Sequence, residues 1–334
     1  MNENPASQNY SRDLGKGLRL RWSRAEDAER IAQLVGMVFR QSEDAPPNAH
    51  LITLVRQLMH GDHPLMTPND YGLIEDTQRE SCPVVACTCL WRQRWVYEGI
   101  PFNIGRPEIV ASDPAYRHRG LIRSLFAMIH ARSEAEGHLV QAITGIPYFY
   151  RQFGYEYALD LHGGRTVYSS LIATLPTDVS QSYILREASV DDIPTIMECY
   201  RLHCKQGVVW TDIPEDCWRY GIVDWHDHSE QERPFRALML IDTQGESQGY
   251  VAFEPFRHGN TLQVPLLGLR AGVTWHTVMP ALLCGLQAYA EQMPVAEGNT
   301  GPLLGITFTF GREHPVYDIL GDTLAPRFIM PYAW

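Results

Sequence analysis

Residues 108–123 read EIVASDPAYRHRGLIR, and this stretch decides the fold expected for the first half of the chain. Residues 109–112 form a short apolar run typical of a buried strand, Asp113 and Pro114 favour a turn, and Gly120 stands where a helix begins. Backbone N–H groups at a helix start lack intrahelical partners, and the helix dipole favours anions there. Glycine lets a ligand approach the backbone closely. The stretch therefore predicts a turn that binds the diphosphate of a nucleotide-like cofactor.

Strands and helices alternate on both sides of this turn. Apolar residues at strand-like spacing predict strands over residues 18–22, 71–75, 84–95 and 139–144. Apolar residues at helical spacing predict helices over residues 31–38, 51–58, 121–129 and 148–153. This order predicts an α/β (α+β) domain in which helices flank a mixed central sheet. We place this domain at residues 18–162, after a flexible polar tail at residues 1–17.

Two motifs in this domain resemble those of one enzyme family. Arg117-x-x-Gly120-x-Ile122 resembles the acetyl-CoA motif of the GNAT N-acetyltransferases, which normally reads Arg/Gln-x-x-Gly-x-Gly/Ala. Residues 150–155 (YRQFGY) resemble the closing motif of the same family. Ile122 departs from the usual small residue, which alters how closely the diphosphate packs. The variant Arg-x-Arg-Gly-Leu-Ile is similar to that of the Eis-type branch (enhanced intracellular survival), whose members acetylate amines of aminoglycosides and related molecules.

The resemblance implies direct transfer of an acetyl group from acetyl-CoA to a primary amine, without a metal. It implies that the cofactor is bound by Val110, Ala111, Ser112, Arg117, His118, Arg119, Gly120, Leu121 and Ile122. A backbone N–H of Val110 or Ala111 is expected to bind the thioester oxygen. Tyr150 matches the tyrosine that protonates the departing sulfur. The alternative role for Tyr150 is that of a core aromatic residue.

There are three candidates for the general base. An alkylamine has a pKa near ~10, so a base or a chain of waters must take its proton. Glu108 stands at the start of the motif strand, where related enzymes place a carboxylate that acts through water. A solvated charge at the strand end is the alternative for Glu108. Eis-type enzymes use their own C-terminal carboxylate, which corresponds to that of Trp334, and water alone is the third candidate.

The second half of the chain repeats the first in outline. Residues 183–192 (YILREASVDD) mirror residues 18–27 (LRLRWSRAED) with the arginines 165 positions apart, and Tyr317 follows Tyr150 by 167 positions. Strands are predicted over residues 235–241, 248–253, 262–267 and 304–308, and a helix over 276–292. Two motifs at nearly one offset indicate a duplicated domain. After a linker at residues 163–181, residues 182–334 are therefore predicted to form a second, degenerate GNAT-like domain.

The second domain lacks the cofactor motif. Residues 269–274 read LRAGVT and do not match Arg/Gln-x-x-Gly-x-Gly/Ala. This domain is expected to pack on the first and help to wall the amine site, as the resemblance to tandem GNAT proteins implies. Eis-type relatives assemble into oligomers, which by analogy implies a homo-oligomer here.

Composition narrows the classes of partner and compartment. With 28 basic and 39 acidic residues among 334, the chain has a formal net charge of −11. That balance argues against general binding of nucleic acid or anionic membranes, and favours a small cationic amine such as a polyamine, an aminoglycoside-like compound or lysine. No apolar run approaches the roughly 18 residues of a membrane span, and the N-terminus lacks an apolar signal core. Seven cysteines without a repeated spacing predict a reducing compartment, so we expect a cytoplasmic protein.

Other constellations carry weaker alternatives. Residues 225–228 (WHDH) could ligate a metal, but a polar loop is the favoured interpretation. Cys87 and Cys89 share one face of a strand and are expected to be small buried residues. Aromatic residues line either a substrate cleft or the sheet: Trp91, Trp95, Tyr97 and Phe102. A non-catalytic acyl-CoA-binding or regulatory protein is the main competing function. Aminoacyl transfer from charged tRNA is disfavoured by the acidic balance and by the preserved cofactor motif.

Overall fold

The computed structural model describes residues 4–172, 182–224, 233–257, 259–295 and 301–330. The chain divides into two compact units. Unit 1 holds residues 4–158 and Thr211–Ile213, and unit 2 holds the remainder from Leu159 onward. Sheets flanked by helices build both units, which confirms the predicted α/β (α+β) class. None of the helices in the described ranges is both long enough and apolar enough to cross a membrane.

Unit 1 is built on one sheet. Its elements are β1 (Ser11–Gly15), β2 (Leu18–Trp22), α1 (Ala28–Val38), α2 (Ala49–Leu58), β3 (Tyr71–Asp76), β4 (Val84–Tyr97), β5 (Ile100–Ser112), α3 (Leu121–Ala135) and β6 (Val140–Gln141). The strands pair in chain order from β1 to β6. All of these pairs are antiparallel except β5 with β6, which are parallel.

Helices pack on both faces of this sheet. Successive side chains of β3 and β4 point alternately to the two faces. Leu73 and Cys87 are buried together with apolar residues of α1 and α2. Their chain neighbours Ile74 and Ala86 point the other way, into a cluster with apolar residues of α3. Because successive side chains of a strand point to opposite faces, one short stretch of sequence supplies both cores.

The prediction of a flexible tail at residues 1–17 is wrong for the described residues from 4 onward. β1 pairs with β2 across a turn of three residues with positive φ, Gly15, Lys16 and Gly17. The indole Nε1–H of Trp22 donates to the carbonyl oxygen of Pro5 at 2.9 Å. Arg132 Nε–H donates to the carbonyl oxygen of Ala6 at 2.7 Å. The polar composition of this segment did not indicate the hairpin of β1 and β2, nor the hydrogen bonds from core side chains to the backbone that precedes it.

Unit 2 is built on two sheets. Its elements are β7 (His162–Tyr168), α4 (Ser169–Ile172), β8 (Tyr183–Glu187), α5 (Ile193–Cys204), β9 (Val209–Thr211, which belongs to neither of these sheets and whose last residue lies in unit 1), α6 (Glu215–Ile222), β10 (Arg236–Asp242), β11 (Ser247–Phe253), β12 (Thr261–Val264), β13 (Leu266–Leu269), α7 (Trp275–Gln292), β14 (Gly305–Phe308), α8 (Pro315–Leu320) and β15 (Phe328–Met330). One sheet has the order β13-β11-β10-β8 and the other β12-β14-β7-β15. The single strand predicted over 262–267 is two strands in different sheets, because Pro265 has no N–H to continue the ladder.

The linker predicted at residues 163–181 is also wrong over its described part. Residues 163–172 belong to β7 and α4, while residues 173–181 lie outside the described residues. The glycines in this stretch were the reason to predict a connector, but in the structure they allow β7 to lie close to its neighbouring strands. A Cβ on Gly164 would lie 2.1 Å from the carbonyl oxygen of Phe308, and one on Gly163 would lie 2.6 Å from Ile329. Only glycine fits there.

Candidate active site

A β-bulge interrupts β5 in the middle of the motif stretch. Cys87 of β4 pairs with Ala111, but Cys89 pairs with Glu108, so an extra residue is inserted on β5. Ile109 absorbs the insertion with a φ of +52°, a conformation that β-branched residues rarely adopt. The Thr88 hydroxyl donates to the carbonyl oxygen of Glu108 at 2.9 Å and fixes the strand beside the bulge.

The bulge sends neighbouring side chains to different clusters. Ile109 packs against the apolar residues of α1 and α2. Val110 packs instead against a cluster that contains Tyr150, and Ile122 of α3 joins the same cluster. Three separate predicted site residues therefore meet at one place. β5 pairs with β6 at Ile104 and Gly105, before the bulge is reached.

The turn that follows β5 leaves the N–H groups at the start of α3 without partners inside the helix. Asp113 accepts a hydrogen bond from the Ala115 N–H at 2.8 Å and begins a short 3-10 helix, Pro114–Tyr116. Gly120 has a φ of +74° and caps α3, whose first recorded bond runs from the Ser124 N–H to the Gly120 carbonyl oxygen at 3.1 Å. The N–H groups of the first turn thus have no partner within the helix.

The side chains of this turn divide into anchors and exposed groups. Tyr116 is buried, and its hydroxyl donates to Asp76 at 2.6 Å. Residues 117–120, which carry both arginines of the motif, are exposed. A Cβ placed on Gly120 would meet no atom within 4 Å. The turn is therefore anchored from beneath, and open space for a ligand lies over its glycine.

Three of the predicted cofactor residues offer only limited contact. The side chains of Ala111 and Leu121 are buried in the clusters on the two faces of the sheet, so a ligand could contact these residues only through their backbone. Ser112, at the end of β5, is half-buried. For these residues the sequence did not separate side-chain from backbone contacts.

Tyr150 lies within an aromatic cluster on the 3-10 helix Phe149–Phe153. Its ring centroid is 5.9 Å from that of Phe126 and 6.2 Å from that of Tyr155. Its side chain is buried, and a Cβ on Gly145 would lie 3.5 Å from its hydroxyl oxygen. Burial, with a further contribution from the negative charge of Glu108, raises the pKa of Tyr150 to about 12. The phenol therefore stays protonated at neutral pH, within electrostatic range of Glu108.

Glu108 forms an ion pair with Arg106, two residues earlier on the same face of β5. Both side chains are mostly covered, at 18% and 23% exposure respectively. Burial raises the pKa of Glu108 above its ordinary value, although the Arg106 guanidinium opposes that shift. A solvated strand-end charge, the alternative for Glu108, does not describe this environment. The carboxyl group is placed to exchange a proton closer to neutral pH than an exposed glutamate would.

Sequence reasoning missed the polar row that includes Arg106. Arg106 Nη1–H donates to Gln93 Oε1 at 3.5 Å, and the Trp95 indole Nε1–H donates to the same oxygen at 3.2 Å. Gln93 and Trp95 alternate with outward residues along β4, and Arg106 and Glu108 alternate likewise along β5. Period-two polar residues on two adjacent strands were the signal that could have revealed this row.

The other residues singled out by the sequence lie in surroundings of three kinds. Cys87 and Cys89 are fully buried, and burial raises the pKa of the Cys87 thiol to about 12. Tyr97 is exposed at the hairpin end, whereas Trp91, Trp95 and Phe102 are half-buried. Residues 225–228 and Trp334 lie outside the described residues. Within the ranges that are described, no group of three metal-ligating side chains occurs.

Comparison with protein families agrees with this geometry. Residues 19–158 match the family model of the acetyltransferase (GNAT) domain. The match covers β2 through the aromatic 3-10 helix and so includes the bulge, the exposed turn and Tyr150. No curated protein matches the chain at a significant level.

Solved structures show the same fold over nearly the whole chain. A probable N-acyltransferase of unknown function from Enterococcus faecalis V583 is 14% identical, with a TM-score of 0.64 over 95% of this chain and 71% of that one. A GCN5-related N-acetyltransferase from Kribbella flavida is 16% identical, with a TM-score of 0.63 and the same two coverages. Saccharomyces cerevisiae N-myristoyltransferase, solved with bound myristoylCoA, is 10% identical, with a TM-score of 0.65 over 100% of this chain and 86% of that one. At these identities the likeness concerns the fold.

Proposed function

We propose that unit 1 transfers an acetyl group from acetyl-CoA directly to a primary amine. The observation that supports this most is that Val110 of the bulge, Ile122 of the exposed turn and Tyr150 pack in one cluster. The match of residues 19–158 to a GNAT acetyltransferase domain supports acyl-CoA as the donor. The choice of acetyl over a longer acyl group, the Eis-type placement, the cytoplasmic location and a homo-oligomer remain predictions.

The donor would bind along the turn and the bulged strand. Outward N–H groups of the first turn of α3, the helix dipole, and the exposed Arg117 and Arg119 favour a diphosphate over Gly120. His118, in the same turn, also has a positive φ. A backbone N–H of Val110 or Ala111 would then donate to the thioester oxygen, where negative charge develops during transfer.

The chemical step needs one base and one acid. The neutral amine attacks the thioester carbon, a C–N bond forms, and the amine proton passes through water to Glu108. The C–S bond breaks, and the sulfur takes a proton from Tyr150, which regains one from solvent, while Glu108 releases the amine proton to solvent. The raised pKa values of both groups suit these roles, because Glu108 holds a proton more readily and Tyr150 begins the step protonated. The Trp334 carboxylate and water remain alternatives to Glu108.

Glu108→Gln tests the base by its pH dependence. Glu108 accepts a proton only when ionised, so kcat/KM of the wild type rises as pH increases through a pKa that burial has raised. The variant is expected to lose this acidic limb and to lose about 10²-fold or more in rate, leaving only the titration of the amine. Glu134→Gln, which removes an exposed carboxylate of α3, is the control and should keep the limb. An unchanged limb in Glu108→Gln would assign the base elsewhere.

Gly120→Glu tests the diphosphate site. The new carboxylate would occupy the open space over the turn and repel the phosphates, so acetyl-CoA binding is expected to weaken by about tenfold or more. Gly137→Glu is a matched control, since Gly137 has the same φ of +74°, has equally open surroundings and lies at the opposite end of α3. Calorimetric titration with acetyl-CoA measures both. Equal weakening in the two variants would attribute the effect to backbone strain.

We also propose that residues 182–334 derive from a second copy of the same fold. Arg21 binds the two oxygens of Asp27 and the carbonyl oxygen of Trp22. Arg186 makes the same three bonds, to Asp192 and to the carbonyl oxygen of Glu187. The sheet orders β2-β3-β4-β5 and β8-β10-β11-β13 also correspond. These likenesses support the repeat seen in the sequence.

The second copy lacks the features that support donor binding in the first. The loop from β13 to α7, residues 270–274, is shorter than the turn before α3. Tyr317, the counterpart of Tyr150, donates to the carbonyl oxygen of Phe308 and accepts from the Phe310 N–H, at 3.0 and 3.1 Å. The Tyr317 hydroxyl is therefore bound by backbone groups of the same unit. We therefore propose that unit 2 does not use acetyl-CoA in the manner of unit 1.

A panel of primary amines assayed with acetyl-CoA tests the proposed function. Thiol release and the mass of the acetylated amine are measured together, and one acetylated amine is expected for each thiol released. Saturable acetyl-CoA binding without transfer to any amine would favour a non-catalytic acyl-CoA-binding protein instead. Thiol release without an acetylated product would indicate hydrolysis of the thioester.

A further inference from the structure

The charge at the site differs from the charge of the chain. The net charge of −11 favours a cationic acceptor on composition alone. Beside the bulge, however, Glu108 is paired with Arg106, and the pair carries no net charge. A polycation placed there would meet the Arg106 guanidinium as well as the carboxylate. The local charges therefore favour an acceptor that carries both signs.

Arg106 has hydrogen-bonding capacity beyond its contacts in the protein. A guanidinium has five N–H donors. The bonds recorded for Arg106 among the described residues go to Gln93 and Glu108, and the first of these is long at 3.5 Å. The side chain is partly exposed, so a ligand can reach it. Carboxylates are the small groups that match the fork of an arginine.

The surroundings of Arg106 provide an apolar wall. Trp91 is directly opposite Arg106 on the antiparallel pair β4 and β5, so the two side chains share a face. The His63 ring lies 6.2 Å from the Trp91 ring, and burial lowers the pKa of His63 to about 4. At neutral pH this histidine is uncharged. The wall thus adds contact area without a further charge.

We infer that the acceptor is an α-amino acid or a close analogue, whose amine faces Glu108 while its carboxylate binds Arg106. This inference rests on the proposed function and specifies its acceptor. In an α-amino acid one carbon carries both the amine and the carboxylate. This short separation matches the side chains of Glu108 and Arg106, which are in direct contact. Arg106 is then a specificity-determining residue, and Trp91 contacts the side chain of the amino acid.

Three acceptors of similar shape test the inference: phenylalanine, phenylalaninamide and phenethylamine. Wild-type kcat/KM, calculated for the neutral amine, is expected to be about tenfold to a hundredfold higher for phenylalanine than for the other two. Arg106→Gln should remove this preference: the ratio of kcat/KM for phenylalanine to kcat/KM for phenethylamine should fall to about one, because any effect of the variant on Glu108 is common to both acceptors. Arg106→Lys should retain part of the preference, because the positive charge remains.

Arg94→Gln is the matched control, since Arg94 is an exposed arginine on the opposite face of β4, and it should keep the wild-type preference. Melting temperatures confirm that each variant is folded. Equal or better use of phenethylamine by the wild type, or a preference that survives Arg106→Gln, overturns the inference while the proposed function stands. Absence of thiol release with every amine overturns both.

Discussion

Replacing Arg21 with methionine is expected to lower the free energy of unfolding of unit 1 by about 3–5 kcal/mol. Arg21 binds Asp27 at 2.7 Å and Glu75 at 2.9 Å. The two carboxylates are 0% and 1% exposed, so removal of the guanidinium would leave buried negative charge without its main partner. Arg30 also contacts both carboxylates, but it is the more exposed of the two arginines.

The pH dependence of this effect has a definite sign. Burial alone would raise the pKa of Glu75, but hydrogen bonds from Arg21 and Arg19 lower it to about 2. The ionised form therefore stabilises the fold fully above the ordinary glutamate pKa, and this contribution is lost as pH falls from about 4.5 to about 2. The difference between wild type and Arg21→Met should shrink over the same interval.

Arg186→Met is the matched control in unit 2. Arg186 makes the same bidentate contact with Asp192, whose side chain is 10% exposed, but Arg186 itself is 45% exposed, so water still reaches the pair and the expected loss is smaller, about 1 kcal/mol. Hydrogen exchange resolved by peptide reports the two units separately within the full chain. Equal losses of unfolding free energy in the two variants would contradict the explanation that burial makes the contacts of Arg21 contribute more to stability than that of Arg186.

Replacing Tyr150 with phenylalanine is expected to lower kcat about 10²-fold or more, with little change in acetyl-CoA affinity. The ring, and with it the packing against Phe126, is retained. Only the hydroxyl that would protonate the sulfur is lost. Steady-state kinetics and calorimetric titration with acetyl-CoA separate the effect on chemistry from the effect on binding.

Tyr155→Phe provides the control for this variant. Tyr155 is a buried tyrosine of the same cluster, and its hydroxyl donates to Gln141 at 3.0 Å and lies 3.0 Å from His130 Nε2. Its loss should change kcat less than about threefold. Equal losses in the two variants would return Tyr150 to the alternative role of a core aromatic residue.

The features that sequence predicted best are those encoded locally. Asp113, Pro114 and Gly120 each set a backbone angle or a cap within a few residues, so the strand, turn and helix around them follow from the sequence. The arginine motif of residues 18–27 and its repeat at 183–192 were visible for the same reason. The fold class followed from the alternation of these local elements.

The features that sequence could not predict depend on contacts between distant segments. Ile109 has no propensity for positive φ, and its bulge exists only because β4 fixes the strand on both sides. The glycines at 163 and 164 suggested a linker until their partners Phe308 and Ile329 were known. Arg106 acquires its role from Gln93 and Glu108, which only the hairpin brings alongside.

We propose that a duplicated fold keeps one acyl-CoA site, in unit 1. Calorimetric titration of the full chain with acetyl-CoA tests it most directly, because it counts sites as well as measuring affinity. We predict one site per chain in the wild type, abolished or strongly weakened in Gly120→Glu and preserved in Gly137→Glu. Two sites per chain, or a single site that survives Gly120→Glu unchanged, would contradict the claim.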